Sequence, residues 1–447
     1  MLTLLGYGMV VVFMALIMTR RLSPLVALTV IPIAFALLAS AVVGGFDTSI
    51  KDMMLDGIRK ISPTAVMLMF AILYFGVMID AGLFDPLIRL ILRVVGHDPV
   101  RILVGSAVLA MAIGLDGDGS TTYMITVSAM LPVYERLRMD PLKLAGITML
   151  CSGVMNLTPW GGPTARAATA LRVDPTEVFL PFIPAMVVAL AGILVLAYWM
   201  GLRERRRLGK VVLPGAGRLG EEGQLPALED GEELKRPRLR WVNALLTALL
   251  MTALVLGLLP MAVLFMVGFA IAVMVNYRDL AEQRRRVIHH AGNVLPVVSV
   301  IFAAGIFTGI LSNTGMVEAM SQSFLTVLPE SLGPYLAVIT AIVSLPFTFF
   351  MSNDAFYFGV LPVLAEAAEA YGITPIEMAR ASLIGQPVHL LSPLVPATYL
   401  LVALTKVEFS DFQRFTMKWA VLVCGVLLLA ALAFGLFPLI GQPGAAT

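Results

Sequence analysis

Four short polar stretches carry the residue types that can hold ions and carboxylates: Asp116–Thr122 (DGDGSTT), Asn156–Thr164 (NLTPWGGPT) with Arg166 just past it, Ser352–Asp354 (SND) and Gln386–Pro396 (QPVHLLSPLVP). Aspartate offers hard oxygens to a divalent cation and can carry a proton. Arginine takes a carboxylate through two parallel hydrogen bonds, and histidine relays protons. The DGDGS run looks like a calcium loop, yet an EF-hand needs Gly at position 6 and Glu at position 12. Counting from Asp116, those places hold Thr121 and Val127. An EF-hand is excluded, and the aspartates need another setting.

Composition supplies that setting. Of 447 residues 59% are hydrophobic and 13% charged, about half the charge of a soluble domain, and the mean hydropathy is +0.91. Runs at 3–18, 180–200 and 418–440 are long enough to cross a hydrocarbon core of about 30 Å. The chain reads as a polytopic integral membrane protein. Its first run lacks a basic n-region and a small-residue cleavage site and is followed by Arg20-Arg21, so it reads as a span and not as a cleaved signal. Cys151 and Cys424 lie far apart in apolar segments and make no disulfide framework. With no HExxH, no Ser–His pairing at motif spacing and no nucleotide loop, the expectation is a non-enzyme without a permanently bound cofactor. Nothing points to nucleic acid.

The order of signals repeats. FGVMIDAGLFD (75–85) resembles TGILSNTGMVE (308–318), with Gly76 and Gly82 matching Gly309 and Gly315. LPVYERLRMDPLKLAG (131–146) resembles LPVLAEAAEAYGITPIEMARA (361–381). Five crossings per half follow: 3–19, 25–43, 63–81, 143–171 and 178–200, then 241–259, 261–277, 291–311, 376–405 and 418–440. An odd number per half turns the second half upside down relative to the first, the inverted-repeat plan of secondary transporters. The domains are 1–200, a basic linker at 201–240, and 241–447. That linker carries ten Lys/Arg, which places it in the cytoplasm and the N-terminus outside. Segments 101–138 and 334–371 have their polar break in the middle, so they are predicted as re-entrant hairpins, tolerated only inside protein or against an aqueous cavity.

The four polar stretches thereby converge on the membrane middle. An acid there costs about 2.5–3.5 kcal/mol on insertion scales, which makes function the default expectation. Asp118 and Asp354 lead for metal binding or proton coupling, with Asp116 beside them; helix capping is the alternative for each. Asp80 suits capping or packing better. Arg166 is well placed for a carboxylate, His389 for a proton or a packing hydrogen bond, and Arg380 for the interface. Ser120, Thr121, Thr122, Asn156, Thr158, Gly161, Gly162, Ser352, Asn353, Gln386 and Ser392 complete the expected substrate lining.

At these motifs a resemblance becomes specific. SPTAVMLMFAILYFGVMIDAGLFDPL, LDGDGSTTYMITVSAMLP and GVMNLTPWGGPTARAATAL resemble the citrate–divalent-metal:proton symporter family (CitMHS), over essentially the whole chain. More distantly, FMSNDAFYFGVLPVLAEAAEAYGI resembles the second hairpin of sodium-coupled dicarboxylate transporters. Asp354 stands there in place of a threonine, and the first hairpin has GDGSTT, departures that count against sodium coupling. The resemblance implies an all-α, elevator-type member of the ion-transporter superfamily in the plasma (inner) membrane. It also implies a homodimer that imports citrate complexed with a Mg- or Ca-class divalent metal in symport with protons. Metal(2+)–citrate(3−) carries one net negative charge, which suits half-helix N-termini. Spans 3–43 and 241–277 would form a scaffold against which the hairpin domain moves. The alternative in the same class is a proton- or sodium-coupled carrier of free di- or tricarboxylates or gluconate-like acids. An ion channel with hairpin pore loops is a further alternative that the asymmetric tips disfavour.

Overall fold

A computed structural model describes residues 1–208 and 232–442; most of the linker predicted at 201–240 therefore lies outside the described residues. Among these, every regular element is helical, and eight helices are long and apolar enough to cross a membrane. The protein is a multi-pass membrane protein. Helices α1 (Leu2–Met18) and α2 (Pro24–Val43) pack together and lead to α3 (Ile50–Asp80) and the amphipathic α4 (Asp85–Val95). Next come α5 (Pro99–Ile113), α6 (Gly119–Arg136), α7 (Pro141–Met155), α8 (Gly162–Leu171), α9 (Pro175–Phe179) and α10 (Ile183–Leu208).

The second half runs through the same order. It contains α11 (Arg240–Val255), α12 (Met261–Asn276), α13 (Leu280–Asn313), α14 (Met316–Val327), α15 (Leu336–Phe350) and α16 (Leu361–Glu369). It closes with α17 (Pro375–Ser382), α18 (Gln386–His389), α19 (Pro396–Thr405) and α20 (Phe409–Ala433). The turns between α3 and α4 and between α13 and α14 use the matched glycines, Gly82 at φ 79° and Gly315 at φ 71°, a backbone region that favours glycine.

Both predicted hairpins form. Two of the eight, Pro99–Asp116 and Gly333–Phe350, are the descending limbs of the hairpins: after α5 and one 3₁₀ turn the chain folds back along α6, which packs on α5. After the 15 residues of α15 it does the same, returning through a wide π-helical segment, Ala355–Val360, into α16. Such π turns concentrate at functional sites. The two broken helices also form, as α7/α8 and as α17–α18/α19. The halves interlock: α8 packs on the return limb of the second hairpin, and α19 packs on α6, the return limb of the first.

Helices α3 and α13 cross at the centre, with α12 against α3 and α2 against α13. The crossing is close because Gly57 faces Gly305: a Cβ on Gly57 would stand 1.9 Å from the Gly305 carbonyl oxygen. Small residues of this kind let membrane helices approach. Both helices start earlier than the spans at 63 and 291, running through Pro63 and Pro296. Beside the prolines, Ser62 Oγ donates to Ile58 O (2.7 Å) and Ser299 Oγ to Leu295 O (2.6 Å), each a bond to the carbonyl one turn back along its own helix. His290 consequently lies inside α13. Asp80 does serve packing, accepting from His290 Nε2 (2.8 Å) and Arg286 Nη1 (3.2 Å).

The hairpin is anchored to α10 at its open end. Asp98 caps α5 through the Val100 amide and accepts from Arg205. Partial burial is the largest single influence on its carboxyl and pushes it up, but Arg205 and the amide together hold it below its ordinary value.

Candidate transport site

The two hairpin tips use their acids differently. Asp118 is the N-cap of α6: its carboxylate accepts from the Ser120 amide (3.1 Å), the Thr121 amide (3.0 Å) and the Thr121 hydroxyl (2.7 Å). Capping of this kind satisfies amides that a helix start leaves open, and a negative charge is favoured there. Asp116 is buried and accepts from the Asp118 amide at 2.9 Å. Thr122 Oγ1 donates to the Asp118 carbonyl. The first tip is thus closed on itself.

Asp354 caps nothing with its side chain. It is 8% exposed and pairs with Arg166, Nε to Oδ1 at 2.6 Å. The two residues lie 188 positions apart, one in each half. Arg166 Nη1 donates to Gly162 O (3.1 Å), which holds the guanidinium over the start of α8. Among the described residues Arg166 Nη2 and Asp354 Oδ2 carry no hydrogen-bond partner. One donor edge and one acceptor oxygen therefore remain available at the junction of the halves.

The second tip is tied to the second helix break. Asn353 and Gln386 exchange amide hydrogen bonds of 3.2 Å in both directions. The last carbonyls of α15 would be orphaned at a helix end, but His389 Nδ1 bonds Thr348 O (2.6 Å) and Ser392 Oγ donates to Phe349 O (2.6 Å). A carbonyl only accepts, so Nδ1 carries the hydrogen. Ser352 Oγ accepts from the Ala355 amide. At the first break Gly161 closes a turn onto Thr158 O, and Asn156 is the half-buried C-cap of α7. The Thr158 hydroxyl is buried without a partner. Arg380, expected at the interface, is half-buried and donates to Leu436 O and Glu177 O.

The four polar stretches form one connected chain of contacts. The first tip meets the first break through Trp160, whose indole donates to Leu115 O at 2.8 Å. The first break meets the second tip through Arg166 and Asp354, and the second tip meets the second break through Asn353 and Gln386. A citrate transporter family model (CitMHS) matches residues 13–385, which take in the first tip, the first break and the second tip and end one residue before Gln386.

The chain belongs to the citrate transporter family. It is 57% identical over 436 residues to a protein of Bacillus subtilis named citrate transporter, covering 98% of this chain and 99% of that one. It is also 52% identical over 435 residues to that organism's Mg(2+)/citrate complex secondary transporter, covering 97% and 99%. Among solved structures it resembles MtrF of Neisseria gonorrhoeae (TM-score 0.58, 14% identity, 92% and 94% covered) and the YdaH transporter of Alcanivorax borkumensis (0.51, 13%, 86% and 89%). At such identities the likeness is one of fold. The family members are transporters, in keeping with a non-enzyme.

Two residues of this family member's site escaped the sequence expectations. Tyr357 sits in the π segment, fully buried, and its hydroxyl accepts from Gln386 Nε2 at 2.8 Å. Trp160 packs on Phe265 of α12 and Phe75 of α3, with centroids 4.9 and 5.9 Å away. The available signal was aromatic placement, in FYF directly after SND and in PWGG within the first break.

Proposed function

We propose that the protein imports citrate complexed with a divalent cation, in symport with protons, and that the complex binds where Arg166 and Asp354 meet. The single observation that carries this is their cross-half ion pair, with a donor edge and a carboxylate oxygen left over. A proton arriving on Asp354 would discharge the pair and free Arg166 to take a citrate carboxylate in a bidentate grip. Departure of the proton would restore the pair and return the substrate. Asn353, Ser352 and the Thr158 hydroxyl supply neutral oxygens to the exposed faces of the metal, as hard cations prefer. Asp118 contributes through the field of its charge, and the buried Asp116 by holding the tip through the Asp118 amide. The relative named for a Mg(2+)/citrate complex favours the Mg class.

In the same proposal the halves are inverted repeats, the N-terminus is outside, and the linker at 201–240 faces the cytoplasm of the plasma membrane. The two hairpins and two broken helices move together against the scaffold of α1, α2, α11 and α12, to which we add α3 and α13 because they pack on α12 and α2. A homodimer would be built on that scaffold.

Titrating purified protein with citrate by calorimetry, in Mg²⁺ and then in EDTA, tests the substrate. The expected result is binding at least about tenfold tighter with the metal, a difference of about 1.4 kcal/mol. Equal or tighter binding in EDTA would favour a free-carboxylate carrier.

A further inference from the structure

Four cationic residues, Lys235, Arg236, Arg238 and Arg278, line a cavity of about 650 Å³ with Asn276. The cavity lies at one end of α11 and α12, away from the transport site. Its wall is a short strap, Glu232–Leu239, made of two 3₁₀ turns. The strap is fixed in place: the Arg236 amide donates to Ala81 O (3.1 Å), Arg236 Nε to Asn276 O (2.8 Å) and the Tyr277 hydroxyl to Leu234 O (3.3 Å). The Arg236 guanidinium also stands 4.9 Å over the Tyr277 ring, and Lys235 lies 3.5 Å from Asp85. Arg238 and Arg278 are exposed at the rim.

The flank above this rim is apolar and outward-facing. Trp241 is 87% exposed, and Leu245 and Leu249 follow on the same helix; Met274 and Val267 do the same on α12. A basic cavity bordered by a lipid-facing wall combines two features that a soluble anion does not need together. Interfacial tryptophan marks the headgroup level, and basic pockets beside spanning helices take phosphorylated headgroups. We infer that this cavity binds the phosphate of an anionic membrane lipid, with Arg238 and Arg278 on the phosphate and the acyl chains along α11 and α12. A bound lipid would pin the strap to the proposed scaffold.

The test is native mass spectrometry of the full chain, released from detergent with dioleoylphosphatidylglycerol or dioleoylphosphatidylcholine. Phosphatidylglycerol adducts are expected to survive at least about fivefold more than phosphatidylcholine adducts. The double variant R238Q/R278Q should bring the two lipids level, whereas R238K/R278K should keep most of the preference. A control double variant at exposed Arg101 and Arg136 should leave it intact. No preference in the native protein, or a preference unaffected by R238Q/R278Q, would overturn the assignment. A parallel arm adds inorganic phosphate: if it strips phosphatidylglycerol at millimolar concentration, the site serves a soluble phosphate and the lipid assignment fails. Size-exclusion profiles matching the native protein establish that each variant is folded.

Discussion

Replacing Asp354 with asparagine is expected to reduce citrate uptake by at least about 100-fold. The carboxylate is 8% exposed and stands 2.6 Å from Arg166. Removing one partner of such a pair leaves the other charge buried and uncompensated, at a cost of about 3–5 kcal/mol. Here the cost falls on the group proposed to grip citrate, and the proton site is lost with it. Asparagine keeps the shape, so the defect should appear in transport at normal protein levels. If D354N is poorly produced, R166Q/D354N should restore production, because neither charge then lacks its partner, while uptake stays absent. The contrast is Asp118→Asn. Asparagine caps a helix about as well as aspartate, so D118N is expected to lower uptake by less than about tenfold. Uptake by D354N within a few-fold of the native protein would remove Asp354 from the mechanism.

Linking the proposed moving part to the scaffold is expected to stop transport by at least about tenfold in a reversible way. Arg172 follows α8 and reaches across to α3 and α13, bonding the Thr308 carbonyl and approaching Asp56 at 4.0 Å. It holds φ 56° although it is not glycine, a conformation that local structure must impose. A D56C/R172C variant treated with a short bifunctional thiosulfonate would tether α8 to α3. Both native cysteines are buried, so the untreated background should resist the reagent. Rigid-body movement requires these contacts to change. Uptake should therefore fall on cross-linking and return with reductant. Full transport with the link in place would contradict the moving-domain proposal and leave local tip motion as the route.

Much of the fold could be read from residue spacing, because bilayer thickness turns length into topology. Stretches of about 20 apolar residues can only be helices, and two that carried polar breaks at mid-length became hairpins. Helix starts were harder. Pro63 opens the predicted span at 63 like a first-turn proline, yet α3 and α13 run through Pro63 and Pro296 from Ile50 and Leu280. The candidate site was legible as residue types and not as partnerships. Asp118 and Asp354 look alike in sequence, and only the backbone distinguishes an acid occupied by three local donors from one aimed at an arginine in the other half. A pairing across 188 residues leaves no trace in local spacing. The same holds for Tyr357, whose role depends on Gln386 arriving from the second break.

The most direct measurement is labelled-citrate uptake into proteoliposomes with an inward proton gradient, without metal and then with Mg²⁺ or Ca²⁺ in turn. Uptake that needs one of these metals and collapses when a protonophore dissipates the gradient is the expected result. Uptake unchanged by metal, or inhibited by it, would contradict transport of the complex. Uptake that persists without the proton gradient would contradict the coupling assigned to Asp354.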